Sequence, residues 1–245
     1  MVHRLAAGAG RAGAAVGIVA LLLAACAPAS RGPASPGPAT RAPASAAKPA
    51  VVGGPVDAAL YEVVAERSEL RVLVYRGGPL ARLGHNHVLV TRELRGNVQV
   101  GRDDVRFEVS FPVASLALDA AAARAAEGPD FESRPTPADV EGTRRNLEGP
   151  QVLDAGRFPR IALHGLGATG GPVDWRVRAA VEVRGEVHEV DAPARVERDA
   201  DGLVARGEFE LRQTALGLTP FSVAMGALQV RDELTVRYVL VAARR

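Results

Sequence analysis

The chain has 245 residues, of which 30 are basic, 28 acidic and one is cysteine. A single cysteine excludes an internal disulfide framework and a Cys-type metal site, and a chain of this length can bury enough surface to fold without either. The charges nearly cancel and form no basic face or stripe, which excludes a nucleic-acid partner.

The first element is an export segment. Arg4 and Arg11 make a basic start without acidic residues, and an apolar run follows from Ala12 to Leu23. That run is shorter than the roughly 20 apolar residues a spanning helix needs, but it fits the core of a signal peptide. It closes on Leu23-Ala24-Ala25-Cys26, which resembles the lipobox of bacterial lipoproteins. The resemblance implies that residues 1–26 are a lipoprotein signal ending at Cys26, with Cys26 acylated as the first mature residue. The protein is then expected on the periplasmic face of a bacterial envelope membrane, its partner there being the bilayer that holds the lipid. The alternative is a buried free cysteine near a frayed N-terminus. Arg4 and Arg11 leave with the signal, so 28 basic residues face 28 acidic ones in the mature chain.

Residues 27–57 are rich in Pro, Ala and Ser, with seven prolines between Ala27 and Pro55. Such a stretch cannot bury a core and reads as a disordered or partly polyproline II linker. Its reach runs from about 30 Å as a coil to about 90 Å extended. Ala27, rather than Asp, follows the cysteine. By similarity to Gram-negative lipoproteins that residue points to the outer membrane.

Residues 58–245 read as one domain, and their apolar pattern has a period of two. Val105, Phe107, Val109 and Phe111 alternate with polar residues, as do Val177, Ala179, Val181 and Val183. Leu203, Ala205, Phe209 and Leu211 repeat the pattern, and so do Leu228, Val230, Leu234, Val236 and Tyr238. Antiparallel strands with one dry and one wet face look like this. Turn signals at Gly101-Arg102-Asp103-Asp104, Gly170-Gly171-Pro172 and Asp199-Ala200-Asp201-Gly202 separate eight or nine such runs. Closing them into a barrel removes their edges. One stretch, Ala120 to Pro150, departs from the pattern. Thr136 is a natural N-cap, Pro137 suits the first helical position and Asp139 can complete a capping box. Val140, Thr143 and Leu147 share a face, and Gly149-Pro150 ends the helix. A long insertion of this kind commonly covers a barrel mouth or carries recognition.

Several local patterns carry a family resemblance. Ser68-Glu69-Leu70-Arg71-Val72 comes first, then Arg144-Asn146-Leu147, Val152-Leu153-Asp154-Ala155 and Phe158-Pro159-Arg160-Ile161-Ala162-Leu163. Val181-Glu182-Val183-Arg184-Gly185-Glu186-Val187-His188, the run from Thr214 to Phe221, and the run from Val230 to Val236 complete the order. Together these resemble the YceI-like family of lipid-binding (polyisoprenoid-binding) proteins over nearly all of residues 61–245. The resemblance implies an all-β fold, an eight-stranded antiparallel lipocalin-like barrel with a helical insertion, and a long apolar ligand in its lumen. The lumen candidates are Leu70, Val72, Val74, Phe107, Val109, Phe111, Ile161, Leu163, Phe209, Leu211, Phe221, Val236 and Tyr238. Periodicity alone leaves open whether they surround a ligand or pack together as a filled core.

The stretch Leu83-Gly84-His85-Asn86-His87-Val88 departs from the single histidine usual in the family. In an extended segment His85 and His87 point to the same side. They form a candidate zinc or copper pair, with His164 or His188 as a third ligand. The alternative is a polar rim at the barrel mouth, with an imidazole bonded to backbone carbonyls. No Gly-x-Ser-x-Gly, HExxH or phosphate loop occurs. Asp130, Glu132, Asp139 and Glu141 read as loop charges or caps. The expectation is therefore a binding protein and not an enzyme, with an apolar isoprenoid lipid or quinone as ligand and no other cofactor. The alternatives are a metal- or stress-related module using His85 and His87, and a filled structural envelope barrel.

Overall fold

In the computed structural model, which describes residues 59–101 and 105–245, the alternating segments become strands that close on themselves. Cys26, the linker 27–57 and the turn residues Arg102-Asp103-Asp104 lie outside the described residues. The first three staves of the barrel are each broken in two. β1 (Ala59–Val63) and β2 (Glu69–Gly77) run in line, separated by a turn of 3-10 helix at Ala65–Arg67. β3 (His87–Thr91) and β4 (Arg95–Val100) form the second stave, and β5 (Val105–Pro112) and β6 (Ala117–Leu118) the third. β7 (Arg160–Gly170), β8 (Asp174–Val183), β9 (Glu186–Arg198) and β10 (Gly202–Arg212) follow as unbroken strands. A two-residue rim strand, β11 (Ser222–Val223), precedes the last stave, β12 (Leu228–Arg244).

Each stave is antiparallel to its neighbours in an up-and-down order. β12 closes the ring by pairing with β1 at one end and with β2 along the rest of its length. Eleven of the twelve strand segments thus make eight staves, with β11 apart at the rim, where the turn signals gave eight or nine runs. The difference lies in the breaks, and buried hydroxyls repair them. Ser68, 1% exposed, donates to the Val64 carbonyl at 2.8 Å and accepts from the Val241 N–H at 3.0 Å. In the next two staves the Thr91 hydroxyl donates to Ser115 at 2.7 Å, and Ser115 donates to the Pro112 carbonyl at 2.7 Å. Backbone groups freed by the breaks find side-chain partners, which a buried kink requires.

Between β6 and β7 runs the insertion. It contains α1 (Ala121–Ala125), a 3-10 turn at Pro129–Phe131, and α2 (Pro137–Glu148). The expected capping box is present. Thr136 Oγ1 accepts from the Asp139 N–H at 3.2 Å, and the Asp139 carboxylate accepts from the Thr136 N–H at 2.8 Å. The first half of the insertion lies on the outside of the barrel, where Phe131 and Ala123 cover Leu73, Val88 and Val90. Glu127, its side chain 1% exposed, pairs there with Arg71 of β2 at 2.5 Å and with Arg237 of β12. α2 then crosses one end of the barrel, with Val140 and Leu147 turned to the inner core.

Candidate functional site

The dry faces of the strands surround a cavity of about 700 Å³ inside the barrel. All thirteen lumen candidates line it. Leu70, Val72 and Val74 come from β2, Phe107, Val109 and Phe111 from β5, and Ile161 and Leu163 from β7. Phe209 and Leu211 of β10, Val236 and Tyr238 of β12, and Phe221 beside the rim strand complete the set. Sequence reasoning left out the wall made by β8, β9 and the start of β10, where Ala179, Ala192, Ala194 and Ala205 face inward. Alternation marks β8 and β10 in the sequence as strands with one apolar face but was not read in β9, and valines as well as alanines line this wall.

Those small residues help keep the barrel hollow, and two glycines do the same for its aromatic side chains. A Cβ on Gly165 would lie 2.6 Å from the Phe107 ring. One on Gly207 would lie 2.5 Å from the Tyr238 ring and 2.3 Å from the Pro193 carbonyl oxygen. Each ring therefore lies back over a neighbouring strand where no side chain stands. The Tyr238 hydroxyl donates to the Pro193 carbonyl at 2.8 Å, and burial pushes its pKa up to about 12.

Polar groups gather at the ends of the cavity. At the end crossed by α2 stand Arg76, His85, His87, Asp139, Asn146 and Gln229, and at the other end Trp175 and Arg198. The faces of Gly142, Thr143 and Leu147 line the cavity under α2, so the insertion roofs that mouth. The two histidines are neighbours, with ring centroids 6.4 Å apart. They are turned to different partners. His85 Nδ1 is 3.4 Å from the Ser133 hydroxyl, and its Nε2 is 3.9 Å from the Asp139 carboxylate. His87 Nδ1 is 2.6 Å from Asp119 Oδ2. Among the described residues both rings meet side chains and neither bonds a backbone carbonyl.

The third-ligand candidates are not brought to this pair. His164 follows the inward Leu163, so alternation puts it on the outer face. His188 lies at the rim against Gly217, 3.7 Å from the Glu186 carboxylate. Among the described residues, no three His, Cys, Asp or Glu side chains converge as ligands for an ion.

Asp119 is the mouth residue that the sequence did not single out. It follows β6 with φ at 54°, and its side chain is 1% exposed. Its Oδ1 accepts from the Val88 N–H at 2.9 Å and from Arg124 at 2.6 Å, while Oδ2 faces His87. Burial alone would raise the carboxyl pKa. The bonds to His87, the Val88 N–H and Arg124 outweigh it and hold the pKa below the usual carboxylate value. Arg124, itself 7% exposed, also donates to the carbonyls of Asn86 and Ser133.

No protein-family model and no curated protein matches the chain. Among solved structures the chain is similar to BcnA of Burkholderia cenocepacia. The TM-score is 0.51 and the identity 13%, over 73% of this chain and 98% of that one. The YceI protein of Campylobacter jejuni is also similar, with a TM-score of 0.43 and 8% identity, over 63% of this chain and 83% of that one. At this identity the likeness to BcnA is one of fold.

Proposed function

We propose that this protein is a lipid-anchored envelope protein that holds an elongated apolar ligand, an isoprenoid lipid or a quinone, in the barrel lumen. The observation that carries this reading is the cavity itself, walled by apolar side chains from every stave, with polar groups confined to its ends. Its volume of about 700 Å³ lies within the roughly 300–1,000 Å³ usual for small-molecule sites. Each methylene moved from water into such a space contributes about 0.8 kcal/mol, so a long chain supplies its own affinity and the mouth only has to orient the head.

The role is binding and not catalysis. The phenol of Tyr238, among the described residues the one titratable group along the middle of the wall, is already bonded to the Pro193 carbonyl. The anchor reading rests on Leu23-Ala24-Ala25-Cys26, and the linker gives the barrel reach from the membrane. The outer membrane and the periplasmic side are part of the same proposal, through Ala27 after the cysteine.

Native mass spectrometry of the mature protein extracted from its own membrane tests the lumen reading. The expected result is a one-to-one adduct that collisional activation releases as a lipid. Ligand-free protein that also fails to take up added alkyl chain would overturn it. For the anchor, radiolabelled palmitate should enter the wild-type chain and not Cys26→Ser. Equal labelling of both would sink that half of the proposal.

A further inference from the structure

The lumen reading leaves open what kind of head group the mouth accepts, and the geometry around His87 decides between two hydrogen-bonding classes. His87 opens β3 opposite Val74, on the same inward face as Leu89, and its ring lines the cavity. One nitrogen of that ring is fixed. Asp119 Oδ2 lies 2.6 Å from Nδ1, and the Asp119 carboxyl is held ionised by its buried partners, so it can only accept. The proton of the neutral ring is therefore on Nδ1. In that neutral form Nε2 is a bare acceptor, and among the described residues no hydrogen bond reaches it. A second shell holds Asp119 still, since Val88 and Arg124 both donate to its other oxygen. An orientation this constrained sets the tautomer in the way carboxylates set it in other imidazole sites.

We propose that His87 Nε2 is the head-group acceptor of the lumen, taking a hydrogen bond from the hydroxyl of a long-chain alcohol or quinol and discriminating against a carbonyl head on the same chain. This rests on the lumen reading above and narrows it. A carbonyl presents lone pairs to a lone pair and leaves both unpaired in a partly dry mouth, whereas a hydroxyl donates. An anionic head is disfavoured by Asp139, which lines the same mouth, and by the commitment of Arg124 to Asp119 and to backbone carbonyls. Arg76 also lines this end, with its Nη1 donating to the Gly84 carbonyl at 2.6 Å.

The carboxylate makes the proposal testable by an isosteric change. In Asp119→Asn the amide oxygen can keep both the Val88 N–H and Arg124, which share one oxygen now, and the NH₂ takes the place of Oδ2. That NH₂ donates to Nδ1, so the ring proton moves to Nε2 and the mouth becomes a donor. The measurement is displacement of a fluorescent alkyl probe from the full-length mature protein by hexadecanol, by its methyl-ketone counterpart hexadecanone, and by palmitate.

Wild type should bind hexadecanol about three- to tenfold more tightly than hexadecanone, the ratio that one net hydrogen bond supplies. Asp119→Asn should reverse the order. His87→Phe, which keeps an aromatic ring and removes both nitrogens, should bring the ratio to one and carries the test should the Asn variant fail to fold. Equal affinities in wild type, a ratio unchanged in both variants, or palmitate bound more tightly than the alcohol would overturn the head-group assignment and leave the lumen reading standing. If no chain displaces the probe, the lumen reading falls and takes this assignment with it.

Discussion

Tyr238 shows how a single side chain can line a cavity without filling it. Its ring covers Gly207, its partner in the β10–β12 ladder, and its hydroxyl reaches across to Pro193 on β9. Burial raises its pKa from 10.0 to about 12. Below both values the phenol is protonated in the folded and unfolded chains alike. Between them the unfolded chain loses the proton and the folded one keeps it, so stability falls as pH rises through that window. Tyr238→Phe should cost about 1 kcal/mol below the window, from the lost hydrogen bond, and should show a shallower alkaline loss within it. Thermal melts of both proteins across the window check this, and parallel curves would contradict it. None of this was legible in the sequence. The alternation placed Tyr238 on the inner face, but the pairing that sets it over Gly207 is a long-range register. The same holds at the mouth. The Gly-His-Asn-His run was conspicuous, while Asp119, which fixes His87, is 32 residues further on and carries no local signal.

The elements were legible where their causes are local. Alternation specified the strands, and the capping box at Thr136 and Asp139 specified α2, because the residues that satisfy the helix end lie three apart. The breaks in the first three staves were not legible. Ser68 repairs the first of them with a backbone partner 173 residues away. α1 lay unmarked within the stretch from Ala120 to Pro150, since it has no side-chain cap and is held by tertiary contacts on the outer wall. The insertion is pinned there by Glu127 between Arg71 and Arg237, while α2 roofs the mouth. Glu127→Gln should destabilise the protein by about 1–3 kcal/mol, because it removes a buried charge from two arginines that keep part of their hydration. Urea unfolding should show a lower midpoint at unchanged slope, and an unchanged midpoint would mean that the pairing does not hold the insertion.

For the molecule as a whole the open question was whether the barrel is filled or hollow, and inward apolar residues are equally compatible with both. The answer depends on sizes summed around the ring. One wall carries small side chains at Ala179, Ala192, Ala194 and Ala205, and the Phe107 and Tyr238 rings lie back over glycines. A hollow barrel and a filled one respond oppositely to added volume. In a packed core, enlarging an alanine costs typically 1–3 kcal/mol through strain, whereas a cavity accepts the new side chain. Ala192 lines the lumen midway along β9, so Ala192→Phe should leave the melting temperature within a few degrees of wild type or raise it. The measurement that tests the account most directly is saturation binding of hexadecanol to wild type and to this variant. Wild type is expected to bind one chain per protein, and the equally well folded Ala192→Phe to bind none. No saturable binding by wild type, or undiminished binding by the variant, would contradict a ligand held in the lumen.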